Sequence, residues 1–200
     1  MLGLPEVEVS RIGGDVAVDL LNTVSWRMDP ARRREHLTSY EHVIAWMVTA
    51  GLLEEPEAIL VTGMAEEQPQ AAQKELERFI SLREDTYDAL VTGQTPHVLK
   101  RRLIHARTGS DLVRAPDGQW EWARIEPGLG TPGDRLALEL ERLLTSDAVT
   151  RFHRCEDQHC GWVFLDTSRH HNRRWCIAAD CGNRNRVRTH YNRLKTTGNK

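Results

Sequence analysis

Residues 151–200 hold all four cysteines of the 200-residue chain, Cys155, Cys160, Cys176 and Cys181, in the pattern C-x4-C-x15-C-x4-C. Thiols paired this way can close disulfides or share one tetrahedral metal. Met1 to Gly14 has neither a basic n-region nor an apolar h-region, so a cytoplasmic, reducing setting is expected, where disulfides do not persist. Zn2+ then fits, because it takes four soft thiolates in a tetrahedron. A full thiolate shell leaves no position for water or substrate, so the expected ion is one structural zinc on Cys155, Cys160, Cys176 and Cys181. The four-residue gaps lie at the long end of the spacing range for such pairs. His159, His170 and His171 stand as alternative ligands, and His153 and His190 read as surface histidines.

The formal charge of -2 conceals a second asymmetry. Residues 151–200 carry 11 Lys and Arg against 4 Asp and Glu, or +7, and residues 1–150 carry 16 against 25, or -9. A basic segment on an acidic body points to a polyanionic partner for the first and another task for the second. The alternatives are a solvated basic surface, or arginines that pair with the acidic part of the same chain. No apolar run approaches the roughly eighteen residues of a membrane span, so no membrane partner is expected. Two parts follow: residues 1–150, mainly helical, and a zinc module over 151–200.

Along the first part, Val7 to Ile12 alternates like a strand and Gly13-Gly14 turns it into a helix over Asp15 to Val24. Trp26 to Glu35 reads as a loop. Thr38 and Glu41 fit a capping box for a helix over residues 39–50 that Gly51 stops. Apolar residues at spacings of three and four predict a long helix from Pro69 to Thr92. Another opens at Thr95-Pro96, with Val98, Leu99, Leu103 and Ile104 inward. Leu112 to Ala115 and Trp120 to Ile125 flank a Pro-Asp-Gly turn and predict a hairpin. Glu126 to Gly133 reads as a loop, and a helix from Asp134 to Phe152 runs to the first cysteine. The fold class expected is mainly α (α+β), a helical domain with a small β-hairpin followed by a treble-clef-like zinc finger. No catalytic signature is present, so the chain does not read as an enzyme.

In the module, Cys155 to Cys160 forms a knuckle, Trp162 to Leu165 is β-prone, and Cys181 precedes a helix over Asn185 to Lys195, whose positive end favours thiolate. At 100° per residue Val187, Tyr191 and Leu194 share the face expected to pack on the module. Arginines then flank a ridge of Asn185, Thr189 and Asn192. This division suits double-stranded DNA, with Arg184, Arg186, Arg188 and Arg193 on phosphates, the ridge on base edges, and Arg173 and Arg174 as secondary phosphate contacts. One small finger buries limited DNA surface, so a homodimer or help from the first domain is expected. Asp19, Asn22 and Thr23, polar on a buried helix, are candidate contacts to a small-molecule effector, with Trp26, Tyr40 or Trp46 lining the cavity; internal hydrogen bonds are the alternative.

Residues Cys155 to Asp166, Arg173-Arg174-Trp175-Cys176, Cys181-Gly182-Asn183-Arg184 and Tyr191 closely resemble the bacterial CGNR zinc finger. Gly13 to Thr23, Ser39-Tyr40, Trp46 and Gly51-Leu52-Leu53 resemble the companion ABATE domain, Val18-Asp19-Leu20-Leu21 standing for its usual Leu-Asp-Phe run. The resemblance implies a stress-related transcription regulator that binds DNA through the finger. The rival expectation is a zinc-stabilised protein-protein interaction module without direct DNA binding.

Overall fold

The computed structural model describes residues 3–124 and 126–197, and these gather into two compact units. The units do not follow the linear division at residue 150. One comprises Met1–Val9 and Leu37–Ser146, the other Ser10–His36 and Asp147–Lys200. The segment that changes sides is close to neutral, so the charge asymmetry persists. The second unit holds 16 Lys and Arg against 9 Asp and Glu, or +7, and the first 11 against 20, or -9.

The first unit is built from helices α2 (Tyr40–Thr49), α3 (Glu55–Glu67), α4 (Pro69–Thr92), α5 (His97–Thr108) and α6 (Thr131–Leu144). It also carries the antiparallel hairpin β3 (Ser110–Arg114) and β4 (Trp120–Arg124), which pairs Leu112 with Trp122. The predicted last strand residue, Ile125, lies outside the described residues. Ser39 rather than Thr38 caps α2, its Oγ accepting from the His42 amide at 3.4 Å. α3, not among the elements expected from the sequence, has a capping box between Glu54 and Glu57 with proline in the first turn. Its buried face is small, Ala58, Val61 and Ala65, whereas Ile59 and Leu60 are exposed. α4 spans the predicted residues, but α5 buries only Leu99 and Ala106 and leaves Ile104 exposed. α6 ends at Leu144, eight residues before the expected stop, where Thr145 and Ser146 hydroxyls donate to the Glu141 and Leu143 carbonyls and compete with further helix. Trp46, Leu82, Leu99, Leu136 and Leu140 form the fully buried centre of this unit. Glu75, Arg102, Asp134 and His105 then tie α4, α5 and α6 through a partly buried ion-pair network.

The second unit contains α1 (Val16–Leu21), the short ladder of β1 (Val24–Ser25) with β2 (Arg34–Glu35), the hairpin β5 (Phe152–Arg154) with β6 (Val163–Leu165), and α7 (Asn183–Thr197). The expected helix over Asp134 to Phe152 is replaced here by a 3-10 turn, Asp147–Arg151, that leads into β5. Val7 to Ile12 forms no strand. Its neighbour Gly13 offers a single carbonyl to the Leu165 amide at 2.8 Å, and one bond does not make a ladder.

Candidate zinc centre and basic helix

Each cysteine pair is placed by local backbone. Between β5 and β6 the chain makes a knuckle in which the Cys160 amide donates to the Asp157 carbonyl at 3.1 Å and the Cys155 amide to the Trp162 carbonyl at 2.8 Å. Cys176 precedes a single π-helical turn, Ala178–Gly182, that contains Cys181 and from which α7 continues. All four cysteines are buried, and their sulfurs lie within 4.8 Å of one another. Cys160 to Cys176 measures 3.6 Å and Cys176 to Cys181 3.4 Å. A tetrahedron with Zn–S bonds of about 2.3 Å has edges of about 3.8 Å, so donor type, number and spacing fit one structural Zn2+. Phe164 lies in the same buried cluster, with Ile12, Trp162, Trp175 and Ile177 packed against it.

This small core is completed by the segment around α1. Asn22 acts as a strut. Its Nδ2 donates to the Val163 carbonyl at 2.9 Å while its Oδ1 accepts the Val163 amide at 2.8 Å, satisfying both backbone groups of one β6 residue. Trp162 Nε1 donates to the Val24 carbonyl at 2.9 Å, and the Arg27 amide to the Cys160 carbonyl at 2.9 Å. The last approach requires Gly161. It has φ +75°, and a Cβ there would stand 2.7 Å from Arg27 Cβ. Gly13 is needed for the same reason, since a Cβ would meet Asp19 Oδ1 at 2.8 Å.

Asp19, Asn22 and Thr23 are thus buried but taken up inside the chain rather than aimed at an effector. Asp19 Oδ1 accepts the Gly13 amide at 2.7 Å, and Thr23 Oγ1 donates to the Leu20 carbonyl at 2.7 Å. Tyr40 and Trp46, named with them, are buried in the other unit. Burial raises the Asp19 carboxyl from 3.8 to about 6, against the lowering effects of the Gly13 amide and Arg11.

The candidate nucleic-acid residues fall into two groups. Arg173 is structural: its guanidinium donates to the carbonyls of Ile12 at 3.1 Å, Cys176 at 2.7 Å and Trp175 at 3.2 Å, and stacks 4.1 Å from the Phe164 ring centroid. Arg184 donates to Asp157, Asp180 and the Cys181 sulfur. Arg174 pairs with Glu156 at the surface. On α7 itself, Arg188 donates to the Asn185 side chain at 2.9 Å and Thr189 Oγ1 to the Asn185 carbonyl at 2.9 Å. Residues 189–195 are exposed throughout, as is Arg186. The expected inward face is reversed. Val187, Tyr191 and Leu194 are 62%, 58% and 55% exposed, while Arg184, Asn185 and Arg188 are half-buried. The side of α7 that meets the module is set by the arginine clamp near its start, not by its apolar stripe.

A buried four-cysteine cluster leading into a basic helix, in a chain whose other unit is mainly helical, defines a structural zinc-finger protein. The chain belongs to the ABATE family, described as “Putative stress-induced transcription regulator”, whose profile matches residues 14–150. The CGNR zinc finger family matches residues 151–194. No curated protein matches the chain. Among the described residues no helix is long and apolar enough to cross a membrane.

Proposed function

We propose that the protein regulates transcription by binding double-stranded DNA through α7 of the zinc unit. The observation that carries this reading is the +7 charge of that unit combined with a 15-residue helix that stands exposed from Thr189 to Lys195. Such a helix is about 22 Å long and of a width that the major groove admits. With Arg173 and Arg184 engaged inside the module, phosphate contacts fall to Arg186, Arg188 and Arg193, and base contacts to Thr189 and Asn192. A homodimer would double a footprint that is small for one module.

The test is a salt-titrated binding measurement on zinc-loaded protein, with random duplex beside duplex from its own upstream region. Three phosphate contacts predict a log-log slope near -3, and preference for the upstream duplex supports specific regulation. Absence of binding at low salt overturns the reading. It would favour a protein-interaction module, to which the exposed Val187-Tyr191-Leu194 stripe lends support.

Effector control is part of the proposal, at a different place from the Asp19 cluster. A cleft of about 430 Å³ between α4 and α5 is lined by Arg78, Arg101, Arg102 and His105 against Glu75, over Leu82 and Val98. Its chemistry suits a small organic anion. A thermal-shift series with phosphate and dicarboxylates should raise the melting temperature of wild type but not of Arg101→Glu; no shift in wild type would remove effector control from the reading.

A further inference from the structure

Arg184 is the last residue of the Cys181-Gly182-Asn183-Arg184 run, and each of its three guanidinium nitrogens has a partner within the module. Nε donates to Asp157 at 2.9 Å, one terminal nitrogen to Asp180, and the other to Cys181 Sγ at 2.8 Å. Arg184 Cζ lies 4.6 Å from the Trp26 ring centroid. Trp26 itself adopts φ +52°, a left-handed conformation that a bulky residue keeps only when its surroundings hold it. The following amide, Arg27, is bonded to the Cys160 carbonyl. Trp26 and Arg184 together line a cleft of about 150 Å³ that also reaches Cys160, Cys176 and Cys181.

Four thiolates around Zn2+ leave a net charge of -2 in a buried cluster. A cation with a hydrogen bond to one sulfur offsets that charge and draws electron density off the thiolate, and partners of this kind commonly change metal affinity by 10- to 100-fold. We propose that Arg184 is a positioning residue of the zinc centre: it fixes Cys181 Sγ through a direct hydrogen bond, offsets the charge of the loaded cluster, and with Trp26 covers the cleft leading to three of the ligands. Asp157, whose side chain is 1% exposed, serves as the anchor that orients the guanidinium. Arg184 is accordingly withdrawn from phosphate contact. Gly182 belongs to the same arrangement, being buried with the Trp175 ring at van der Waals distance from where a Cβ would be.

The test compares zinc release, not DNA affinity. Wild type, Arg184→Lys, Arg184→Met and the double variant Arg184→Met/Asp157→Asn are loaded with one equivalent of zinc, and loss to excess 4-(2-pyridylazo)resorcinol is followed with alkylation of Cys181 by N-ethylmaleimide. Arg184→Met is expected to release zinc at least tenfold faster and to alkylate faster, with Arg184→Lys between it and wild type. Asp157→Asn removes the carboxylate that Arg184→Met would leave unpaired. The double variant should therefore regain thermal stability without regaining slow zinc release. Equal release from wild type and Arg184→Met overturns the proposal, as does a double variant that releases at the wild-type rate. If Arg184→Met does not fold, Arg184→Lys decides, and release equal to wild type overturns it. In zinc-saturated protein that binds DNA, the salt slope of Arg184→Lys and Arg184→Met should match wild type; a slope flatter by about one for Arg184→Met overturns the withdrawal from phosphate.

Discussion

The two units reach a fixed structure by different means. The acidic unit packs five helices over an apolar centre that includes Trp46, Leu136 and Leu140, and its polar ties lie around that centre. The zinc unit has two short hairpins, a six-residue α1 and a buried cluster built mostly of metal ligands. It compensates with a metal and with hydrogen bonds that leave little freedom of register: Asn22 on Val163, Gly13 on Leu165, Arg27 on Cys160, Arg173 on three carbonyls. A large core tolerates shifts of a methyl group, whereas a small one depends on particular atoms. That difference explains why the longest distinctive sequence runs, Gly13-Gly14-Asp15 to Thr23 and Cys155 to Asp166, fall in the zinc unit, whereas Ser39-Tyr40, Trp46 and Gly51-Leu52-Leu53 in the acidic unit are short.

The contrast is sharpest under metal removal. A chelator should unfold the zinc unit, because structural zinc contributes about 10–16 kcal/mol in small fingers, while α2 to α6 keep most of the far-ultraviolet helical signal. A complete loss of that signal would break the distinction. Next, Leu140→Ala, at a fully buried site of α6, should cost about 2–5 kcal/mol in thermal unfolding yet leave zinc retention at the wild-type level. Asn22→Ala should instead couple the two, costing about 3 kcal/mol by orphaning the Val163 amide and carbonyl and speeding zinc loss.

Asp19 adds a pH dependence confined to the zinc unit. Its folded carboxyl, at about 6, lies above the ordinary 3.8, so its stabilising contribution is complete below about pH 4 and is lost as pH rises through 6. The shift corresponds to about 3 kcal/mol. Asp19→Asn keeps the acceptor for Gly13 and should gain melting temperature over wild type from pH 5.5 to 7.5 in zinc-saturated protein; parallel curves would contradict the assignment. Smallest of all, Arg174→Ala removes an exposed pair with Glu156 and should change stability by less than about 1 kcal/mol, which thermal unfolding can check.

Much of this was legible in the sequence where the signal is local. The cysteine spacing pointed to the zinc centre, the three-and-four spacing of Ala72, Leu76 and Phe79 marked α4, and Pro116-Asp117-Gly118 marked the β3-β4 hairpin. Local signals also misled. The apolar stripe of α7 pointed to a packing face that is exposed, and α3 has no apolar stripe to read, since its inward face is made of Ala58, Val61 and Ala65 while Ile59 and Leu60 are exposed. What could not be read is non-local. Asn22 looked like a ligand contact because its partner lies 141 residues away. Arg184 looked like a phosphate contact because Asp157, its buried anchor, sits in the other half of the finger; an acidic residue inside a cysteine knuckle was the available sign.

The split membership of the zinc unit sets an order of events during synthesis. α1 leaves the ribosome early, but its strand β6 follows only after 141 further residues, a wait of about 7–28 s at 5–20 residues per second. Through that interval the intervening helices can fold, whereas the apolar side chains of α1, Val18, Leu20 and Leu21, have no final partner and the fourth zinc ligand does not yet exist. The nascent chain therefore carries an open, adhesive α1 segment until residues 151–181 emerge, and zinc capture and burial of that segment become a single late step.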